Sequence, residues 1–93
     1  MHVLRSTEGE TVDRTGSPIF QGTVHGRGLA DGLSDQINAA VVHFSPGART
    51  RVHRHASDQL LYIVSGIGKV GAGAEEHVVG VGDFVVIPAG EAH

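Results

Sequence analysis

The stretch GARTRVHRHASDQLLYIVSG, residues 47–66, combines two histidines with a run of strand-forming residues. His53 and His55 are separated by one residue, and Gln59 follows four positions later. Successive side chains of a strand point to opposite faces, so the two imidazoles share one face while Arg54 points to the other. Gln59 begins a new strand after the break ASD, and its side chain can therefore return to the histidine face.

Two interpretations of this pattern remain open. Polar residues with a period of two are common on the solvated face of a strand, and a strand glutamine is often only a hydrogen-bonding residue. The same side chains can instead bind an ion, because imidazole nitrogens coordinate metals at about 2.0–2.1 Å. His93, which follows the turn PAGEA, would add a third imidazole. Three rings and one amide oxygen form half of a coordination shell for a divalent ion.

Composition limits the class of protein. A chain of 93 residues has room for one domain. It contains no cysteine, which excludes disulfides and thiolate metal sites. The formal net charge is −3, and the basic residues do not form the broad surface that nucleic-acid binding requires. No apolar run approaches the roughly 20 residues of a membrane span, and the N-terminus lacks an apolar signal core. We therefore expect a cytoplasmic protein that binds neither nucleic acid nor membrane.

The glycine content and the lack of a 3.6-residue hydrophobic period predict an all-β fold of seven or eight short strands. The predicted strands are HVLR (2–5), IFQGTVHG (19–26), QINAAVVHF (36–44), RTRVHRH (49–55), QLLYIVSG (59–66), the two arms of a hairpin within 68–82 and DFVVIP (83–88). The segment TEGETVDRTGSP is predicted to be a loop. Both faces of QLLYIV and DFVVI are apolar, so we expect a partner to cover one of them, most simply in a homodimer.

The glycines and the proline around the histidines have a fixed spacing. Gly47 precedes His53 by six positions and Gly66 follows Gln59 by seven, and the segment GDFVVIPAGEAH, residues 82–93, ends the chain. These two segments resemble the signature motifs of the cupin superfamily, G-x5-H-x-H-x3-E-x6-G and G-x5-P-x-G-x2-H-x3-N. Every fixed position within the chain matches, except that Gln59 stands in place of the glutamate.

The resemblance implies a double-stranded β-helix, a small jelly-roll-like barrel with a metal in its mouth. The family's metal ligands correspond to His53, His55, Gln59 and His93 here. Cupin barrels continue for one or two strands past the last histidine of the motif. The resemblance therefore predicts a single cupin domain over 1–93 that lacks its C-terminal strands, either because the chain is part of a longer protein or because a partner completes the barrel by strand exchange.

Gln59 changes the expected chemistry. A glutamate would bring the site of a divalent ion to a net charge of +1, whereas glutamine leaves it at +2 and makes the ion a stronger Lewis acid. The His-x-His-x3-Gln pattern is similar to that of small bacterial cupins, among them manganese-dependent hydroxynitrile lyases and cupins linked to carboxymuconolactone decarboxylases. We expect Mn²⁺ or Fe²⁺ as cofactor, with Co²⁺, Ni²⁺ or Zn²⁺ as alternatives.

The resemblance predicts a metal-dependent protein that acts on a small oxygenated molecule. Lyase, isomerase and dioxygenase chemistry all fit, and a non-catalytic cupin that binds or senses a small ligand is the alternative. Two neighbouring residues are candidates for one further position in the pocket. Strict alternation puts Arg51 on the ligand face, while the family more often directs the position of Thr50 toward the metal, which a bulge near Gly47 would allow. We favour Thr50 as the residue that lines the substrate pocket.

Overall fold

The computed structural model describes residues 1–93 and consists of nine short β-strands without a helix. The strands are β1 (Val12–Asp13), β2 (Phe20–Gln21), β3 (Val24–Gly28), β4 (Ala40–Phe44), β5 (Arg49–Thr50), β6 (Gln59–Tyr62), β7 (Ile67–Ala72), β8 (Glu75–Gly80) and β9 (Phe84–Ile87). Every strand pair is antiparallel. The prediction of an all-β fold is confirmed. No helix exists that is long and apolar enough to cross a membrane.

The chain divides into two compact units, residues 1–51 and 52–93. In the first unit β1, β3 and β4 form one sheet, and β2 pairs with β5. Val24 on β3 is fully buried, and the rings of Phe20 and Phe44 meet edge to face with centroids 5.9 Å apart. The predicted strand 19–26 is split at Gly22, which has a φ of +83° and lies so close to Ala48 that a Cβ would be 2.9 Å from its Cα. Only glycine fits this backbone conformation and this approach.

The N-terminal segment differs from the sequence prediction. Residues 2–5 form no strand, whereas Val12–Asp13, predicted to lie in a loop, pair with β3. The guanidinium group of Arg27 donates hydrogen bonds to backbone carbonyls of this segment, including those of Ser6, at 3.3 Å, and Glu8. These contacts satisfy carbonyl groups that a sheet would otherwise pair, so the segment is held on β3 without becoming a strand.

The second unit contains two antiparallel strand pairs, β6 with β9 and β7 with β8. Only β7 and β8 are consecutive and form a hairpin. Gln59 lies opposite Ile87, and Leu61 lies opposite Val85. Because opposite residues of an antiparallel pair share a face, these four side chains lie on one face of the β6–β9 sheet. Ile87 is only 7% exposed and the other three are half-buried. We call this the inner face.

The opposite face of the β6–β9 sheet is apolar but exposed. It consists of Leu60, Tyr62, Val64, Phe84 and Val86, whose exposed fractions lie between 56% and 66%. Leu60 is paired with Val86 and Tyr62 with Phe84, whose rings lie 6.3 Å apart. We call this set the outer face. It carries no charged side chain, which agrees with the sequence expectation that both faces of these strands require covering.

We expect the chain to self-associate through the outer face. Five aromatic and aliphatic side chains more than half exposed offer on the order of 500 Å² of apolar surface, against about 800 Å² per partner in a standard interface. A second copy presents the same uncharged surface, so a two-fold contact leaves no charge unpaired. Light scattering should give about twice the chain mass of 9.7 kDa, and Tyr62→Lys should shift the protein toward the monomer.

Ile67→Lys is the matched control for this test. Ile67 is 84% exposed and lies on β7, outside the outer face. The Ile67→Lys substitution introduces the same charge at an accessible apolar position. Because this position lies outside the outer face, the oligomeric state should not change. A monomeric wild-type chain at tens of micromolar, or equal dissociation by the two variants, would contradict the expectation.

Candidate metal centre

Backbone pairing brings the two histidine segments together. His53 and His93 are forty residues apart in sequence, yet each donates its backbone N–H to the carbonyl of the other, at 3.0 Å in both directions. The N–H of Gly90 donates to the carbonyl of His55 at 2.8 Å. Residues 53–55 and 90–93 therefore run side by side in an antiparallel arrangement, although neither segment is a regular strand. Of the predicted strand 49–55, only Arg49–Thr50 is one.

The turn before His93 sets the direction of the second segment. Pro88 ends β9, and the N–H of Glu91 donates back to the carbonyl of Pro88 at 3.2 Å. Gly90, inside this turn, has a φ of +80°, a conformation that glycine adopts without the strain other residues incur. The fixed proline and glycine of PAGEAH thus reverse the chain so that His93 pairs with His53.

Three imidazole rings form a compact cluster. The ring centroids are 4.8 Å apart for His53 and His55, 4.4 Å for His53 and His93, and 5.1 Å for His55 and His93. All three residues are half-buried, and each offers one ring nitrogen such that these nitrogens lie within 4.8 Å of one another. The side chain of Gln59 joins the cluster, with its Oε1 atom 3.0 Å from Nε2 of His93. These four side chains lie together in the structure, and their role as metal ligands stays a prediction.

The backbone contact of His93 determines which nitrogen of its neutral ring carries the proton. Its Nδ1 atom lies 2.9 Å from the carbonyl oxygen of Glu91, and a carbonyl only accepts hydrogen bonds. Nδ1 therefore carries the proton, and in the neutral ring Nε2 carries the lone pair. That lone pair faces Oε1 of Gln59, so two electron-pair donors point toward the same place. The Glu91 carbonyl thus orients His93 so that Nε2 points toward the other donors.

His55 supplies the clearest sign of a ligand. Its Nε2 atom is buried and has no hydrogen-bond partner in the protein. Buried polar atoms in folded proteins are nearly always paired, and leaving one unpaired costs about 1–3 kcal/mol. An unpaired nitrogen beside two further imidazoles is explained by a group that accepts several nitrogen lone pairs at once.

The cluster fits a metal ion. Two nitrogens bound to one ion at about 2.1 Å each lie at most about 4.2 Å apart. The nitrogens, which lie within 4.8 Å of one another, therefore have to move together by at least about 0.6 Å at the longest separation, which half-buried side chains can do by rotation about their χ angles. The donors are neutral nitrogens and one amide oxygen, a set that suits first-row divalent metals.

The model of the cupin domain family matches residues 40–93. The chain belongs to the cupin family. The match includes the whole of both signature segments, residues 47–66 and 82–93. A search of curated proteins found no match to the chain. Membership of the family agrees with the observed His53–His55–His93 cluster, which could hold a metal.

The remaining predicted pocket residue lies in the first unit. Thr50 is on β5, half-buried and opposite Phe20. The neighbouring candidate, Arg51, donates from its guanidinium group to the carbonyls of Pro18 and Phe20, both at 2.8 Å. These bonds give Arg51 a clear structural role, while a pocket role for Thr50 stays a prediction.

Two supporting groups escaped the sequence interpretation. One is the Glu91 carbonyl, a backbone group that no side-chain pattern reveals. The other is Asp58, which the sequence places in the break between two predicted strands. Its Oδ1 atom accepts a hydrogen bond from the backbone N–H of Ala89 at 2.9 Å. The sequence offers one sign of this role, since Asp58 directly precedes a candidate ligand and Asp side chains commonly bond to backbone N–H groups in loops.

Aliphatic side chains surround Gln59 on the inner face. Ile87 is its cross-strand partner, and Leu61 and Val85 form the next pair along the strands. None of these side chains can carry charge or transfer a proton. The inner face therefore offers an ion no negative partner, and offers a ligand an apolar surface next to the donor cluster.

Proposed function

We propose that this cupin binds one divalent transition metal through His53, His55, Gln59 and His93 and acts with it on a small oxygen-containing molecule. The buried, unpaired Nε2 atom of His55 within the histidine cluster carries the proposal. Mn²⁺ or Fe²⁺ suits imidazole nitrogens combined with an amide oxygen, and Co²⁺, Ni²⁺ or Zn²⁺ are the alternatives. When bound, the metal supplies a Lewis acid that polarises a carbonyl or hydroxyl oxygen, or a centre that activates oxygen.

The residues of the chain have separate roles in this proposal. His53 and His55 provide nitrogen donors from one segment, and His93 provides a third with its ring orientation held by the Glu91 carbonyl. Gln59 provides a neutral oxygen donor. The aliphatic residues of the inner face bind the carbon body of the substrate and exclude water from that side. A small molecule with one polar oxygen could bind the metal through that oxygen and pack its apolar part against the inner face.

Several reaction types remain within this class. The His-x-His-x3-Gln pattern is similar to that of the cupin hydroxynitrile lyases, which supports lyase chemistry. Isomerase and dioxygenase chemistry are the alternatives. Neutral donors favour Lewis-acid reactions over those that oxidise the metal, because a higher positive charge disfavours the loss of an electron.

A second candidate is a non-catalytic cupin that binds or senses a small molecule. The aliphatic inner face favours it, since Leu61, Val85 and Ile87 can hold a ligand but cannot move its protons. The two candidates share the metal and differ in turnover. Incubation of the metal-loaded protein with small hydroxy and carbonyl compounds, followed by product analysis, separates them.

Removal of two histidines should empty the site. The wild-type chain should hold about one divalent ion, measured by elemental analysis of protein purified without an affinity tag. The variant His53→Ala/His55→Ala should hold almost none, because two of the nitrogen donors are gone. The control is His2→Ala/His77→Ala, which removes two histidines outside the cluster and should keep the metal. Full metal content in the first variant would refute the ligand assignment.

Metal content should fall as the pH is lowered. Imidazole binds a metal only in its neutral form, so protons and the metal compete for the same nitrogens. Binding should be complete near neutral pH and largely lost by about pH 5, as measured by equilibrium dialysis against Mn²⁺ or Co²⁺. An ion that stays bound at about pH 4 is not held by three histidines.

Gln59→Glu should keep the metal and change the chemistry. Glutamate has nearly the same reach and adds one negative charge, so the affinity for a divalent ion should be at least that of the wild type. The same charge lowers the Lewis acidity of the ion, and a Lewis-acid reaction should slow, whereas oxygen chemistry should be preserved or faster. Affinity is measured by titration with Mn²⁺, and turnover with a hydroxy or carbonyl compound that the incubation experiment shows to be converted.

Gln21→Glu is the matched control for this charge change. Gln21 is an exposed residue of β2, and its substitution adds the same charge outside the cluster. It should alter neither metal affinity nor turnover. Weaker metal binding by Gln59→Glu than by the wild type would mean that Gln59 is not a ligand.

A further inference from the structure

We propose that Asp58 is a positioning residue of the metal site, an inference that rests on the proposed metal-binding function. Asp58 directly precedes Gln59, and its Oδ1 atom accepts the N–H of Ala89 at 2.9 Å. Ala89 lies in the turn that leads to His93. One side chain thus joins the segment that runs from His55 to Gln59, at the start of β6, to the turn that leads to His93.

This contact differs from the others that hold the two segments together. The bonds between His53 and His93, and from Gly90 to His55, all join backbone atoms. They hold the segments together at His53 and His55, and the β6–β9 ladder holds Gln59 opposite Ile87. The carboxylate of Asp58 adds a side-chain bond between these two sets of backbone contacts, at Ala89 in the turn. It therefore helps to fix the turn relative to Gln59, and so the distance between the donor atoms of Gln59 and His93.

The contact distances agree with this role. Oε1 of Gln59 and Nε2 of His93 are 3.0 Å apart, close to the separation of two neighbouring donors on one ion. Asp58 is exposed, so it does not serve to bury apolar surface. Groups that orient metal ligands typically change metal affinity by about 10–100-fold when they are removed. The exposed position of Asp58 places its effect at the lower end of that range.

The experiment compares Co²⁺ affinity and the visible absorption spectrum of the Co²⁺-loaded full chain. Asp58→Ala should bind about tenfold more weakly than the wild type and show an altered spectrum, because the ligand arrangement is loosened. Asp58→Asn keeps an oxygen that accepts the Ala89 N–H and should restore both affinity and spectrum. The Asn variant also removes the negative charge, so it separates positioning from simple attraction of the cation.

Asp83→Ala is the matched control. Asp83 also accepts a backbone N–H in a turn of the second unit, from Gly80 to its Oδ2 atom at 2.7 Å, but away from the cluster. It should lower the urea stability of the metal-free chain and leave Co²⁺ affinity unchanged. The positioning role alone would be overturned if Asp58→Ala bound Co²⁺ as tightly as the wild type. It would also be overturned if Asp58→Asn bound Co²⁺ as weakly as Asp58→Ala. A wild-type chain that binds neither Co²⁺ nor Mn²⁺ would overturn the proposed function and with it this inference.

Discussion

The reciprocal backbone bonds between His53 and His93 are the constraint on which the candidate site depends. They align two segments that are distant in sequence, so that side chains from both point to one place. Each bond satisfies a backbone group that would otherwise be exposed or unpaired, and so the pairing is favourable before any ligand is present. The turn at Gly90 makes the pairing sterically possible. The cluster is therefore preorganised by the backbone, and its side chains need only rotate to converge on an ion.

The polar groups of the cluster are unevenly satisfied. Nδ1 of His93 donates to the Glu91 carbonyl, and its Nε2 lies 3.0 Å from Oε1 of Gln59. His55 has a buried nitrogen with no hydrogen-bond partner. A site that served only to stabilise the fold would gain by pairing this atom, since an unpaired buried group is costly. Under the proposed function, the bound metal takes the lone pair of this nitrogen.

Much of this could be predicted from the sequence, because the signals were local. The spacing of His53 and His55 predicts a common side for both rings, and the two rings do lie together although residues 53–55 form no regular strand. The positions of Gly90 and Pro88 reflect backbone requirements that few other residues meet. The all-β fold follows from glycine content and the absence of helical periodicity. The predictions failed where tertiary contacts override local preference. Residues 2–5 have strand propensity but form no strand, and Arg27 bonds the carbonyls of Arg5 and Ser6 at the end of this segment. The predicted strand 19–26 is broken by the close approach of Ala48 to Gly22.

The combination of Gln59 with an aliphatic inner face decides which ligands the proposed site would favour. Under the proposed function three imidazoles and one amide contribute no negative charge, and Leu61, Val85 and Ile87 contribute none either. A divalent ion in such surroundings keeps its full charge, and surroundings of low polarity screen that charge less than water does. The most favourable remaining ligand is therefore an anionic or strongly polarised oxygen, with a hydrocarbon portion against the inner face. A carboxylate at position 59 would compete with that oxygen for the ion, so the neutral amide makes the substrate itself the group that balances the charge.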